Sequence, residues 1–285
     1  MDKIIIPESY NYIAAFLTFD CNLHCSYCIN KFDKLNKQRN ISGEEWVKFI
    51  NRIESREDLP ITLQGGEPTL HEDFYYIVNN IKTDLNIDVL TNARFRIEEF
   101  IQNVNPNRIK RESPYASIRV SYHPEQMVAD DLIKKVIILK NKGYHIGIWS
   151  VLHPNNEKDI LIQQELCRRL GIDFRIKEFL GMYKKKMYGE YKYENAIKSD
   201  KNETALCKTT ELLISPSGNI HKCHSDLYAN LNSIGSIDNF KLNDVYRRCD
   251  RYGQCNPCDI KVKTNRLQQY GHTSVDIKRI DNLVY

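Results

Sequence analysis

Between Ile13 and Ile176 six short apolar runs alternate with five longer stretches of helical periodicity, and few folds accept that order. Two parallel strands need a crossover between them, so the repeated pattern predicts βα units around a parallel sheet, an α/β class. Strands are read at Ala14–Thr18, Ile61–Leu63, Ile87–Leu90, Ser117–Ser121, His145–Val151 and Phe174–Ile176. Helices are read at Glu44–Arg56, Phe74–Lys82, Ile97–Asn103, Asp130–Lys142 and Lys158–Leu170. Ser42 can cap the first helix while Glu45 reaches back to its backbone, and Gly143 and Gly171 stand where two helices should stop.

The 285 residues, 41% hydrophobic and 27% charged, suffice for one substantial core and a small appendage. A net charge of +4 is small beside 41 basic and 37 acidic residues, and no basic block interleaved with aromatics marks a nucleic-acid partner. Lys184 to Lys186 reads as a solvated loop. The opening MDKIIIPESYNYIAAF is no signal peptide, and no apolar run approaches the roughly 20 residues that span a bilayer. A cytoplasmic protein without a membrane partner is expected. In that reducing compartment, nine cysteines suggest metal ligands or catalytic thiols before disulfides.

The pattern changes after Gly181. Residues 1–181 form the α/β unit, 182–206 read as a linker or lid rich in Lys and Tyr, 207–260 as a small cysteine-rich α+β domain, and 261–285 as a tail packing on the larger unit. A hairpin turning at Ser215-Pro216-Ser217-Gly218 is expected in the small domain.

Cys21, Cys25 and Cys28 follow the first strand with the spacing C-x3-C-x2-C, at the carboxyl end where α/β folds place their chemistry. Structural zinc takes four protein ligands, commonly in two pairs, so this loop fits zinc only if His24 joins. An iron–sulfur cube suits it better: three thiolates hold three irons and the fourth stays open to a ligand. Gly65-Gly66-Glu67-Pro68 closes the second strand, where glycines let backbone approach a ligand and Glu67 can accept from an ammonium. Alone, those four residues could be a tight turn.

The cysteine spacing, with aromatic Tyr27 before the last cysteine, and the GGEP segment resemble the radical S-adenosylmethionine (SAM) superfamily over about Ile13 to Ile176. The resemblance implies a partial (β/α)6 barrel, a [4Fe-4S] cluster on Cys21, Cys25 and Cys28, and SAM chelated to the open iron with its amino group received by GGEP. It further implies one-electron cleavage of SAM to a 5′-deoxyadenosyl radical, an electron donor of the flavodoxin or ferredoxin type, and contacts from Thr91, Asn92, Ser121 and Ser150 to the ribose and carboxylate. A plain strand-end capping role is the other reading of each of these four.

Downstream, Cys207, Cys223, Cys249, Cys255 and Cys258 resemble a twitch domain, a shortened relative of the SPASM domain that holds one further [4Fe-4S] cluster. Cys207, Cys223, Cys255 and Cys258 are its expected ligands; a four-thiolate zinc knuckle is the competing reading. Cys167 reads as a buried helix residue. Cys249 could replace a ligand, be inert, or return a hydrogen atom to a substrate radical.

One auxiliary cluster beside the barrel leads to the expectation of a two-electron oxidation of a hydroxyl on a small polar substrate, a sugar or aminocyclitol. Epimerisation with Cys249 as hydrogen donor, and peptide modification, are the alternatives. The first strand lies within about a dozen residues of Met1, with no leader-binding domain before it, which disfavours a dedicated peptide enzyme. Arg175, Lys177 and Glu178 are candidates to hold or deprotonate the substrate, or else an ordinary charged strand edge. A non-catalytic metal-binding or electron-transfer module remains the reading from another class.

Overall fold

A computed structural model describes residues 2–28, 39–189, 191–197, 203–240, 242–255 and 274–280. The six expected strands are present as β1 (Tyr12–Thr18), β2 (Ile61–Gly65), β3 (Ile87–Thr91), β4 (Ile118–Tyr122), β5 (Ile146–Leu152) and β6 (Phe174–Glu178). They are parallel and neighbour one another in chain order. Helices α1 (Gly43–Ile50), α2 (Phe74–Asn80), α3 (Ile97–Asn103), α4 (Pro106–Ile109), α5 (Ala129–Asn141) and α6 (Glu157–Arg169) fill the crossovers.

All seven residues of β1 are buried, which is why its sequence is almost continuously apolar. Ile13, Ala15 and Leu17 pack with Trp46, Phe49, Phe74 and Ile77 of the helices, while Tyr12, Ala14 and Phe16 pack on the other face with Leu213 and Leu227. Ser42 and Glu45 form the expected reciprocal cap of α1. That helix stops at Ile50, short of the expected Arg56, because Ile53–Glu54 peels away to pair in parallel with Ile4–Ile5 and bury Ile53.

The C-terminal third divides between two sheets. Strands β7 (Glu203–Thr209), β8 (Glu211–Ile214) and β9 (Asn219–His221), helix α7 (His224–Ala229), and strands β10 (Ser233–Ser236), β11 (Arg247–Tyr252) and β12 (Val275–Arg279) follow in order. β8 pairs in parallel with β1, and β9 and β10 extend it, giving a nine-stranded mixed sheet in the order β10-β9-β8-β1-β2-β3-β4-β5-β6. β11, β7 and β12 form a separate antiparallel sheet. The expected boundary at 207 is therefore no break in the large sheet: β8 supplies the backbone partners that the outer edge of β1 lacks.

The hairpin at Ser215 to Gly218 is present, closed by Ser215 N to Asn219 O at 2.8 Å. Within the expected linker, Gly181–Tyr183 and Lys186–Tyr188 pair as a small hairpin. The described part of the tail, expected against the α/β unit, is β12 and pairs with β7. No helix among the described residues is long and apolar enough to cross a membrane.

Candidate active site

The cysteine loop leaves β1 and is pinned to three other strand ends. Gly66 and Glu67 donate their backbone amides to the carbonyls of Thr18 and Asp20, each at 2.8 Å. A Cβ on Gly66 would stand 2.6 Å from the Phe19 carbonyl oxygen and nearer still to that of Asp20, so only glycine lets the two backbones meet. From β3, Asn92 Nδ2 donates to Asn22 Oδ1 at 2.7 Å. Beyond β4, Gln126 accepts from His24 N, and Glu125 accepts from Ser26 N and Oγ at 2.9 and 2.6 Å.

Glu67 is wholly buried. Its carboxylate accepts from Thr69 N and Oγ1, Thr91 Oγ1 and Asn92 N. Burial pushes its pKa up against these hydrogen bonds. Thr91 and Asn92 thus serve this internal network. Ser150 is buried and donates to the Tyr122 carbonyl at 3.0 Å, whereas Ser121 is half-buried on β4. Pro68 opens a short 3-10 turn after Glu67.

The three thiols lie close enough to feel one another. Burial, then the charges of Cys28 and Cys21, pushes Cys25 up to about 12, and burial raises Cys21. A crowded set of half-buried sulfurs is a poor set of free thiolates and a good donor set for several soft cations. No three His, Cys, Asp or Glu side chains among the described residues are gathered closely enough for a single metal ion. Three soft thiols on one loop, each able to take its own iron, fit a cube whose fourth iron stays open.

Tyr27 stacks on His153 with ring centres 5.0 Å apart, and its hydroxyl meets His123 Nδ1 at 3.1 Å. Phe179 and Tyr183 stand edge-on to His153. Burial, aided by the charge of Lys177 and opposed by Glu125, lowers His123 to about 4, so its ring is neutral near pH 7. Sequence reasoning missed His123, His153, Glu125 and Asn22. Both histidines stand two residues past strand ends read at Ser121 and Val151, a signal that could have found them.

Arg175 and Glu178 are not brought together. The Arg175 guanidinium is held by Asp173 at 2.9 Å, bonds the Pro114 carbonyl and lies 5.7 Å over Trp149. Glu178 is half-buried, and its charge raises the pKa of Tyr191. Strand alternation puts the two on opposite faces of β6.

The second group of cysteines lines one cavity: Cys207, Cys223, Cys249 and Cys255, with Lys222, Asp226 and Arg251. Cys258 lies outside the described residues. Cys249, set apart in the sequence reading, is seated with the expected ligands, its thiol hydrogen-bonded to that of Cys207. That contact lowers the Cys249 pKa and, with burial, raises that of Cys207. Four soft sulfurs lining one cavity suit an iron–sulfur cluster, in which each thiolate takes its own iron. Cys167 is fully buried on α6, as expected.

A parallel α/β sheet thus carries a three-cysteine loop and a glycine-rich segment at its strand ends, where α/β folds place their chemistry. Residues 16–111 match the Radical SAM superfamily model, and this segment is a radical SAM domain. The chain is 30% identical over 182 residues, 60% of its length and 56% of that protein, to a GTP 3′,8-cyclase of Campylobacter jejuni (strain RM1221). It is 24% identical over 180 residues, 60% of its length and 55% of that protein, to one of Aliarcobacter butzleri. The chain thus spans about half the length of the curated relatives it matches.

Among solved structures, SuiB of Streptococcus suis bound to SAM superposes with a TM-score of 0.56 at 13% identity, covering 81% of this chain and 64% of that one. The enzyme anSMEcpe with bound SAM and a peptide gives 0.53 at 14%, covering 80% and 78%. These share the fold. The GTP 3′,8-cyclase relatives overturn the expected oxidation of a sugar or aminocyclitol hydroxyl. That expectation rested on one auxiliary cluster read as an electron acceptor, a feature that names no substrate.

Proposed function

We propose that the chain is a radical SAM enzyme of partial (β/α)6 barrel form acting on a purine nucleotide, the class of substrate named for its curated relatives. The observation that carries the radical chemistry is the loop of Cys21, Cys25 and Cys28, anchored to the ends of β2, β3 and β4 through Gly66, Asn92 and Glu125. Those cysteines hold a [4Fe-4S] cluster; with SAM bound it supplies a 5′-deoxyadenosyl radical that takes a hydrogen atom from substrate. Gly65 and Gly66 keep the GGEP backbone against the loop, and Glu67 fixes the ends of β2 and β3 from within. Tyr27, His123 and His153 form a wall beside the loop, where neutral imidazoles can donate or accept hydrogen bonds, and Lys177 supplies positive charge near an anionic substrate. Cys207, Cys223, Cys249 and Cys255 hold a second [4Fe-4S] cluster in this reading, and a flavodoxin- or ferredoxin-type protein delivers electrons.

The test is anaerobic incubation of reconstituted protein with SAM, a reductant and GTP, ATP or a pyrimidine nucleotide in turn, read by mass spectrometry. 5′-Deoxyadenosine together with a product isomeric with one purine nucleotide supports the proposal and marks ring closure. 5′-Deoxyadenosine with every nucleotide intact sinks the substrate class, and its absence under all conditions sinks the radical chemistry.

A further inference from the structure

The two cysteine sites differ in the charges placed around them. Beside the first loop, Glu125 bonds Ser26 between two of the cysteines, the charges of Glu67 and Glu125 reach Cys21 and Cys25, and Arg94 donates to the Asn22 carbonyl at 3.3 Å. Around the second cavity the charged side chains among the described residues are Lys222, Arg251 and Asp226. Lys222 is 5% exposed and Asp226 1%. The Lys222 ammonium pairs with Asp226 Oδ2, and Arg251 Nη1 lies 3.8 Å from Asp226 Oδ1 with no hydrogen-bond partner. One carboxylate thus serves two cations, the buried Lys222 and the partly exposed Arg251, leaving a net positive charge beside the cysteines. Asp226 is also fixed to the site, its backbone amide directed at Cys223 Sγ at 3.5 Å.

A buried charge is screened far less by salt than a surface one, and the net charge around an iron–sulfur cluster is one of the levers on its potential. Reduction adds one negative charge, which a nearby cation favours and a carboxylate opposes. We propose that Lys222, with Arg251, raises the reduction potential of the group held by Cys207, Cys223, Cys249 and Cys255. The proposal rests on the second cluster of the reading above. Lys222 and Arg251 act through the cluster as tuning residues.

The experiment uses the full-length chain with Cys21, Cys25 and Cys28 replaced by Ala, reconstituted with iron and sulfide. Iron content comes first, then an EPR-monitored redox titration. Roughly four irons per chain are expected, with a potential that moves negative in Lys222→Met, moves positive in Asp226→Asn, and changes little in Lys222→Arg. Opposite shifts from two halves of one ion pair separate charge from misfolding, since structural damage has no reason to reverse sign. If Lys222→Met does not take up iron, Asp226→Asn alone decides by the direction of its shift. Full iron with unmoved potentials, or shifts of the same sign, overturns the charge proposal and leaves the cluster standing. A background chain that holds no iron overturns the cluster itself, and the proposal with it, before any potential is measured.

Discussion

Glu67 takes the backbone amide of Asn92 at 2.6 Å on a carboxylate with no exposed surface, joining the end of β2 to the end of β3. Asn92 in turn holds Asn22 of the cysteine loop, so one buried anion sets the height of the loop over the sheet. Its other donors are the Thr69 amide and the hydroxyls of Thr69 and Thr91. Glu67→Gln keeps the volume but turns an amide donor onto this ring of donors. Leaving such buried groups unpaired costs about 1–3 kcal/mol. A lower urea midpoint with an unchanged slope is expected, together with poorer iron retention when only the first site can load. Wild-type stability and iron content would remove Glu67 from this role.

Gly66→Ala tests the contact between backbones directly. The new Cβ meets the carbonyl oxygens of Phe19 and Asp20, which cannot move without moving the root of the cysteine loop. A cost of about 1–3 kcal/mol is expected from such overpacking. Because the damage falls on the loop, SAM-dependent chemistry should drop further than global stability does. Activity and midpoint falling in proportion would show a general loss of fold instead.

Strands were legible because β1 is buried throughout and reads as an almost unbroken apolar run, while β4 and the start of β6 keep apolar residues at every second position. The end of α1 was not, because Ile53 leaves the helix to pair with a strand at the chain's start, a long-range choice absent from local periodicity. For the same reason β8 read as part of a separate domain although it completes the edge of β1. Cysteine spacing disclosed the first site, yet the network of Glu67 with Thr69, Thr91 and Asn92 was not legible: a motif names the residue and only packing reveals which protein donors face it. Cys249 was set aside because spacing favoured the pair Cys255 and Cys258, whereas the register of β7 with β11 brings it to Cys207.

Asp88 supports the opposite end of the sheet. It has no exposed surface and takes Arg111 through two hydrogen bonds of 2.9 and 3.1 Å and Arg119 through one of 3.2 Å, with the Tyr115 ring under both guanidinium groups. Asp88→Asn strands two buried cations, for which a loss of about 3–5 kcal/mol is expected. Denaturant unfolding measures it, and a loss under 1 kcal/mol would mean that water or a rearranged side chain replaces the carboxylate.

His123 gives the fold an acid sensitivity whose sign follows from its surroundings. Burial holds its pKa at about 4, below the ordinary value of 6.5. Between those values the unfolded chain binds a proton that the folded chain does not, so unfolding is favoured progressively as pH falls. The contribution is fully present above pH 6.5 and is lost as pH drops through the folded value near 4. His123→Gln retains a polar side chain to meet Tyr27 and removes the titration. On the iron-free chain, urea unfolding at a series of pH values from 7 down to 4 should give a stability difference between wild type and variant that moves in the variant's favour with acid. His145, His153 and His221 are lowered in the same direction and stay in both chains, so their contribution cancels in the difference. A difference that stays constant across the series would place the acid sensitivity on those histidines and not on His123.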